Sequence, residues 1–79
     1  MKIKYYAADG YMSDTSPADC EKYRVWAKAR IASEYPDAEV DVVNGEGNNV
    51  ADTGTWAGND ENALEFLASL WDACPWDWV

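Results

Sequence analysis

Three carboxylates late in the chain have a spacing that chemistry can use. On a helix, Glu61, Glu65 and Asp72 fall at about 100°, 140° and 120° around the axis, one narrow stripe. Glu61 and Glu65 are then about 6 Å apart along the axis, with Asp72 about 10 Å further on. Phosphates along a nucleic-acid strand repeat on a similar scale of several ångströms. Such a row can occupy lysines and arginines meant for phosphates, and it is equally what an ordinary solvated helix face carries. Glu39 and Asp41 alternate with Val40 and Val42 and add two acids on a strand face. The chain has no histidine, so the commonest general base and metal ligand is missing. Asp52, Asn59, Asp60 and Glu61 lack the regular spacing of a calcium loop. No catalytic residue, metal site or cofactor is expected.

Two short motifs fail on context. Asp52-Thr53-Gly54 resembles the signature of dimeric aspartic proteases, in which each subunit supplies one aspartate and the pair shares a proton. The resemblance covers only these few residues. The 25 residues that follow read as mainly helical, too little chain for the strands and flap of such a cleft. A strand followed by a turn is the simpler reading. Gly45-Glu46-Gly47 is not followed by a helix, and no lysine lies downstream of it, so it reads as a turn and not as a phosphate loop.

The elements that position these residues follow from pattern. Lys2 to Ala7 alternates, with Ile3, Tyr5 and Ala7 on one side, and predicts a half-buried strand. Ser16-Pro17-Ala18-Asp19 is a helix start, with a capping serine, proline at the first helical position and an acid three residues on. That helix is predicted to run to about Tyr35, because Pro36 disfavours helical geometry before it. Ala38 to Val43 predicts a second strand. Asn44-Gly45 is a strong hairpin signal, and a third strand is expected within residues 46–53. Asn59 or Asp60 caps a second helix, whose stripe Ala63, Leu64, Leu67, Leu70, Trp71 and Cys74 is apolar; Trp71 is expected in the core. Pro75 stops it.

The expected fold is α+β in the order β-α-β-β-α, a single domain over residues 1–79. It has a three-stranded sheet, the third strand between two parallel ones, and two antiparallel helices on one face. The tail from residue 75 is short and rich in tryptophan. Its Trp76 and Trp78 either fold back onto the core or form a binding patch. Antiparallel helices bring Cys20 near Cys74, which allows a disulfide, an intermolecular bridge through Cys74, or two reduced thiols in a reducing compartment.

Charge narrows the function classes. The 79 residues hold 15 acids and 6 bases, a net charge of −9. All six bases lie within the first 30 residues, and eleven acids and no base follow. So acidic a chain repels phosphate, which argues against direct binding to nucleic acid or anionic membrane. Neither a membrane-spanning run nor an apolar signal segment is present, so a soluble cytoplasmic protein is expected.

In size, acidity and want of catalytic apparatus the chain resembles the small anti-CRISPR and antirestriction inhibitors of phages and other mobile elements. The resemblance is one of type, with no diagnostic motif. It implies an inhibitor, monomeric or homodimeric, that binds a protein complex with a basic nucleic-acid-binding surface and blocks it by charge mimicry. Glu61, Glu65, Asp72, Glu39, Asp41, Trp76 and Trp78 are its candidate contacts. The alternative is a non-enzymatic interaction or oligomerisation module acting through the aromatic tail.

Overall fold

The computed structural model describes residues 1–12, 15–56 and 58–75. The elements are β1 (Lys2–Tyr6), a 3-10 turn (Asp9–Met12), α1 (Pro17–Glu34), β2 (Glu39–Val43), β3 (Val50–Asp52) and α2 (Glu61–Ala73). Both helix starts are capped by side chains. The Ser16 hydroxyl accepts from the Asp19 N–H at 3.2 Å and donates to the Asp19 carboxylate at 3.0 Å. The Asp60 carboxylate accepts from the Ala63 N–H at 3.1 Å. Each satisfies a backbone donor that the helix itself leaves open. The Tyr35 N–H closes α1 on the Ile31 carbonyl, one residue before Pro36.

The strand order is β2-β1-β3, with β1 parallel to β2 and antiparallel to β3. This corrects the expected order, which had β3 in the middle. The connection explains the difference: Asn44 is held by Asp9 and Asn49 by the Tyr6 N–H, so the chain leaving β2 passes over the end of β1 and β3 pairs on its far side. Ile3 and Tyr5 of the central strand are accordingly buried, whereas Val40 and Val42 of the edge strand β2 are only half-buried.

The expected Asn44-Gly45 hairpin is also corrected, because β2 and β3 do not pair. Asn44 is otherwise engaged: its side-chain oxygen accepts from the Asp9 N–H at 3.1 Å and its amide donates to the Asp9 carboxylate at 3.3 Å. The chain instead crosses the end of β1, where the Tyr6 N–H donates to the Asn49 side chain at 3.0 Å. Gly47 passes so close that a Cβ there would lie 2.8 Å from the Tyr6 ring, which is why glycine stands at this crossing.

Both helices cover one face of the sheet. Ile3, Tyr5, Ala7 and Ala51 share a core with Tyr23, Ala27 and Ile31 of α1 and Ala63, Leu67 and Leu70 of α2. The helices run antiparallel: Tyr23, early in α1, meets Trp71, late in α2, at 5.3 Å between ring centroids, while Tyr35 meets Phe66 at 5.8 Å. Trp71 is 41% exposed, so it sits at the core's margin rather than inside it. Its place in the apolar stripe is real, but the stripe is wider than the core it faces.

Two phenol hydroxyls meet inside the core. The Tyr5 and Tyr23 hydroxyls lie 2.6 Å apart and are buried, and burial pushes both phenols above their usual range. Removing the Tyr23 hydroxyl leaves that of Tyr5 short of a partner at a buried position, which costs more than removing both. Tyr23→Phe should therefore lower stability by about 1–2 kcal/mol, and the Tyr5→Phe/Tyr23→Phe double variant should recover most of that loss in urea unfolding. Additive losses would show that the hydroxyls do not depend on each other.

Candidate protein-docking surface

Helix α2 turns one face wholly to the core and the opposite face to solvent. Ala63, Leu67 and Leu70 are buried, and their mean direction lies about 180° around the helix from that of Glu61, Glu65 and Asp72. All three acids are exposed. Among the described residues none of them has a lysine or arginine within 4.0 Å. Between Glu65 and Asp72 this face carries the small residues Ala68 and Ser69, so no bulky side chain of the helix interrupts the row.

Four of the six bases are held in ion pairs with other acids, and one of these, Arg30, also lies over the Phe66 ring of α2 at 5.1 Å. Arg24 pairs with Asp9 at 2.6 Å and with Glu21 at 3.0 Å, Arg30 with Glu34 at 3.3 Å, and Lys22 and Lys2 with Asp19 and Glu39, each at 3.9 Å. Lys4 lies over the Tyr6 ring at 5.3 Å. Two acids of the base-free region, Glu34 and Glu39, are thus partnered by bases from earlier in the chain, and the rest of the pairing is internal to the first 30 residues.

Glu39 and Asp41 belong to a different surface from the α2 row. They are exposed on β2 in register with Lys2 and Lys4 of β1. The open sheet face is therefore of mixed charge, not an acidic row. Acids on the β2 edge do serve a purpose: like charges brought opposite one another hinder a second copy from pairing there.

Cys20 and Cys74 are both buried, and no disulfide joins them. They occupy different surroundings. The Cys20 thiol donates to the Thr15 carbonyl at 3.6 Å, and burial, with the Asp9 charge adding, pushes its pKa up. Cys74 caps α2 by donating its N–H to the Leu70 carbonyl at 3.0 Å and lies near enough to Tyr5 and Tyr23 to affect their ionisation. Trp76 and Trp78 lie outside the described residues.

The motif residues around Asp52 form a braced turn. The Asp52 carboxylate accepts from the Gly54 N–H at 2.8 Å, as expected for a strand running into a turn. Among the described residues, no three of His, Cys, Asp and Glu gather as metal ligands, and no helix is long and apolar enough to cross a membrane.

One candidate contact escapes the sequence pattern. Trp56, three residues beyond the expected third strand, is 100% exposed on the loop between β3 and α2. The signal for it is the pair Gly54 and Gly58 placed symmetrically about it, both with positive φ, 77° and 76°. Glycines in that conformation mark a turn, and a turn puts the residue between them at its tip.

Comparison of the chain with protein-family models, with curated proteins and with solved structures finds no match.

Proposed function

We propose that this chain is a small acidic inhibitor, anti-CRISPR-like in type, that occupies the basic nucleic-acid-binding surface of a protein complex. It works by occupancy, without turnover. The observation that carries this reading is the α2 row: Glu61, Glu65 and Asp72 exposed opposite the buried face, with no base in reach among the described residues. Unpartnered carboxylates repel one another and weaken a fold with little stability to spare. Helix α2 carries three acids and no base of its own, and Arg30, which lies over its Phe66 ring at 5.1 Å, is paired with Glu34 at 3.3 Å, so the net field from this helix is negative. Such a field steers the protein to a basic groove and competes there with phosphate.

The test is capture of the target from lysate of the source cells, followed by challenge with duplex DNA and with salt. Duplex DNA should displace the inhibitor. Binding should weaken steeply from about 0.1 M to about 1 M salt, as the Debye length shrinks from about 10 Å to about 3 Å. A complex indifferent to both would remove charge mimicry and favour an apolar interface.

A further inference from the structure

A second surface lies at the end of the sheet where β1 and β2 begin and β3 finishes. Lys2 is in register with Glu39 on one side and Asp52 on the other, so the residues just before β1 and β2 and just after β3 gather there. The loop that leaves β3 is held by its own hydrogen bonds. The Thr53 N–H and hydroxyl both donate to the Gly58 carbonyl, at 2.9 and 2.8 Å, and the Gly58 N–H donates to the Thr55 carbonyl at 3.2 Å. Asn59 closes the loop by bridging to Asp52, and its side chain accepts from the Ala51 N–H at 3.2 Å. Trp56 stands on this frame with all of its surface in water.

Tryptophan is highly buried on average in folded proteins, so a fully exposed one beside a hydrogen-bonded frame calls for a cause. Order is what makes it useful. A side chain on a braced loop loses little backbone freedom when it binds, and that saving appears as affinity. Tryptophan is also among the residues most often found at energetic hot spots of protein interfaces.

The same end carries a cleft of about 200 Å³ lined by Met1, Tyr35, Pro36 and Ala38 together with Glu34 and Asp37. It adjoins the strand ends from which the loop leaves: the Met1 carbonyl accepts from the Glu39 N–H at 2.9 Å, Lys2 next to it is in register with Asp52, and Tyr35 meets Phe66 of α2 at 5.8 Å. Asp37, Asp52, Asp60 and Glu61 stand at this end with no base within 4.0 Å among the described residues. Lys2 stands among them, paired with Glu39 at 3.9 Å, so an aromatic knob and a partly apolar cleft share a setting in which acids outnumber bases.

We infer that Trp56 and the Met1–Tyr35–Pro36–Ala38 cleft form a docking surface for a protein that presents an apolar pocket bordered by lysine and arginine. The inference rests on the inhibitor reading in taking the partner to be basic, and adds to it the anchor that charge alone lacks. Electrostatics favours this occupant over the others. A second copy would bring carboxylates against carboxylates, and an anionic lipid surface or a nucleic acid would meet the same repulsion.

The test places the photo-crosslinker p-benzoylphenylalanine at position 56, at position 65 on the α2 row, and at exposed position 32 on α1 as a control, in lysate of the source cells. Position 56 should give an adduct with one protein, at a peptide carrying lysine or arginine beside apolar residues, and position 32 should give none. Against the protein so identified, Trp56→Ala should weaken binding about thirtyfold and Trp56→Phe far less. The melting temperature of Trp56→Ala should match the wild type, which separates lost binding from lost fold. Adducts at 65 with none at 56, or a Trp56→Ala variant that binds as the wild type does, would overturn this surface and leave the α2 row standing. No adduct at 56 or 65 would overturn both readings. An adduct of position 56 with a second copy of the chain, or with a protein lacking basic residues there, would overturn the basic partner.

Discussion

Replacing Glu61, Glu65 and Asp72 together with lysine should leave a folded protein that has lost its basic partner. The three positions are exposed and make no ion pair among the described residues, so each change should alter stability by no more than about half a kcal/mol. Glu61 is the exception to watch, because it lies in the first turn of α2, where a negative charge suits the helix dipole and a positive one does not. Binding should respond far more strongly. The net charge moves from −9 to about −3, and lysines then face the lysines and arginines of the groove. Like charges set against each other across an interface cost several kcal/mol. The affinity should fall at least about a hundredfold, equivalent to about 2.7 kcal/mol. Titration calorimetry against the captured target reads this directly, with circular dichroism to confirm the fold. Wild-type affinity in the folded triple variant would take α2 out of the interface.

The helices are legible in the sequence because each carries its signals within a few residues. Ser16-Pro17 and Asp60 cap the two starts as local chemistry requires, and Pro36 and Pro75 stand just past the C-caps Tyr35 and Cys74. The sheet order is not legible, because it depends on a contest between strands distant in the chain. Asn44-Gly45 has the composition of a hairpin turn, yet the Asn44 side chain bonds to Asp9, thirty-five residues away. A dipeptide signal gives no weight to a partner so remote. The acidic row on α2 is legible, since a helix fixes the angles between its residues. The mixed charge of the open sheet face is legible as well, since alternation puts Lys2, Lys4, Glu39 and Asp41 together there, but the register that sets Lys2 beside Glu39 and Lys4 beside Asp41 depends on a distant strand. Trp56 is hidden for a related reason. It lies past the expected third strand, and the glycines at 54 and 58 become a frame only through their positive φ.

Arg24→Met should lower stability by about 2–3 kcal/mol, a large cost for one side chain in a domain of this size. Arg24 is a charged residue only 8% exposed, and it joins three parts of the fold. One guanidinium nitrogen, Nη1, donates to the Ala7 carbonyl at 3.0 Å and to the Asp9 carboxylate at 2.6 Å. Nε and Nη2 both donate to Glu21, at 3.3 and 3.0 Å. Asp9 in turn is bonded to Asn44 at the end of β2, so one side chain on α1 ties down the ends of both parallel strands. The ion pairs alone do not explain the cost. The Asp9 side chain is 45% exposed and that of Glu21 67%, and water screens such pairs. The larger loss is the donor to Ala7, a buried residue, whose carbonyl methionine cannot satisfy. Lysine is no substitute either, because a single ammonium cannot reproduce the fork that reaches three acceptors; Arg24→Lys should recover only part of the loss. Acid provides a second readout. The hydrogen bond from Arg24 holds the Asp9 carboxyl below its usual range. A carboxyl with a lowered folded pKa stabilises the fold above its unfolded value, near pH 4, and that contribution disappears as pH falls through the folded value. The wild type should therefore lose stability below about pH 4 more steeply than Arg24→Met. Identical urea midpoints at neutral pH for wild type and Arg24→Met would show that the strand ends are held without this residue. Parallel acid limbs would show that Asp9 draws nothing from it.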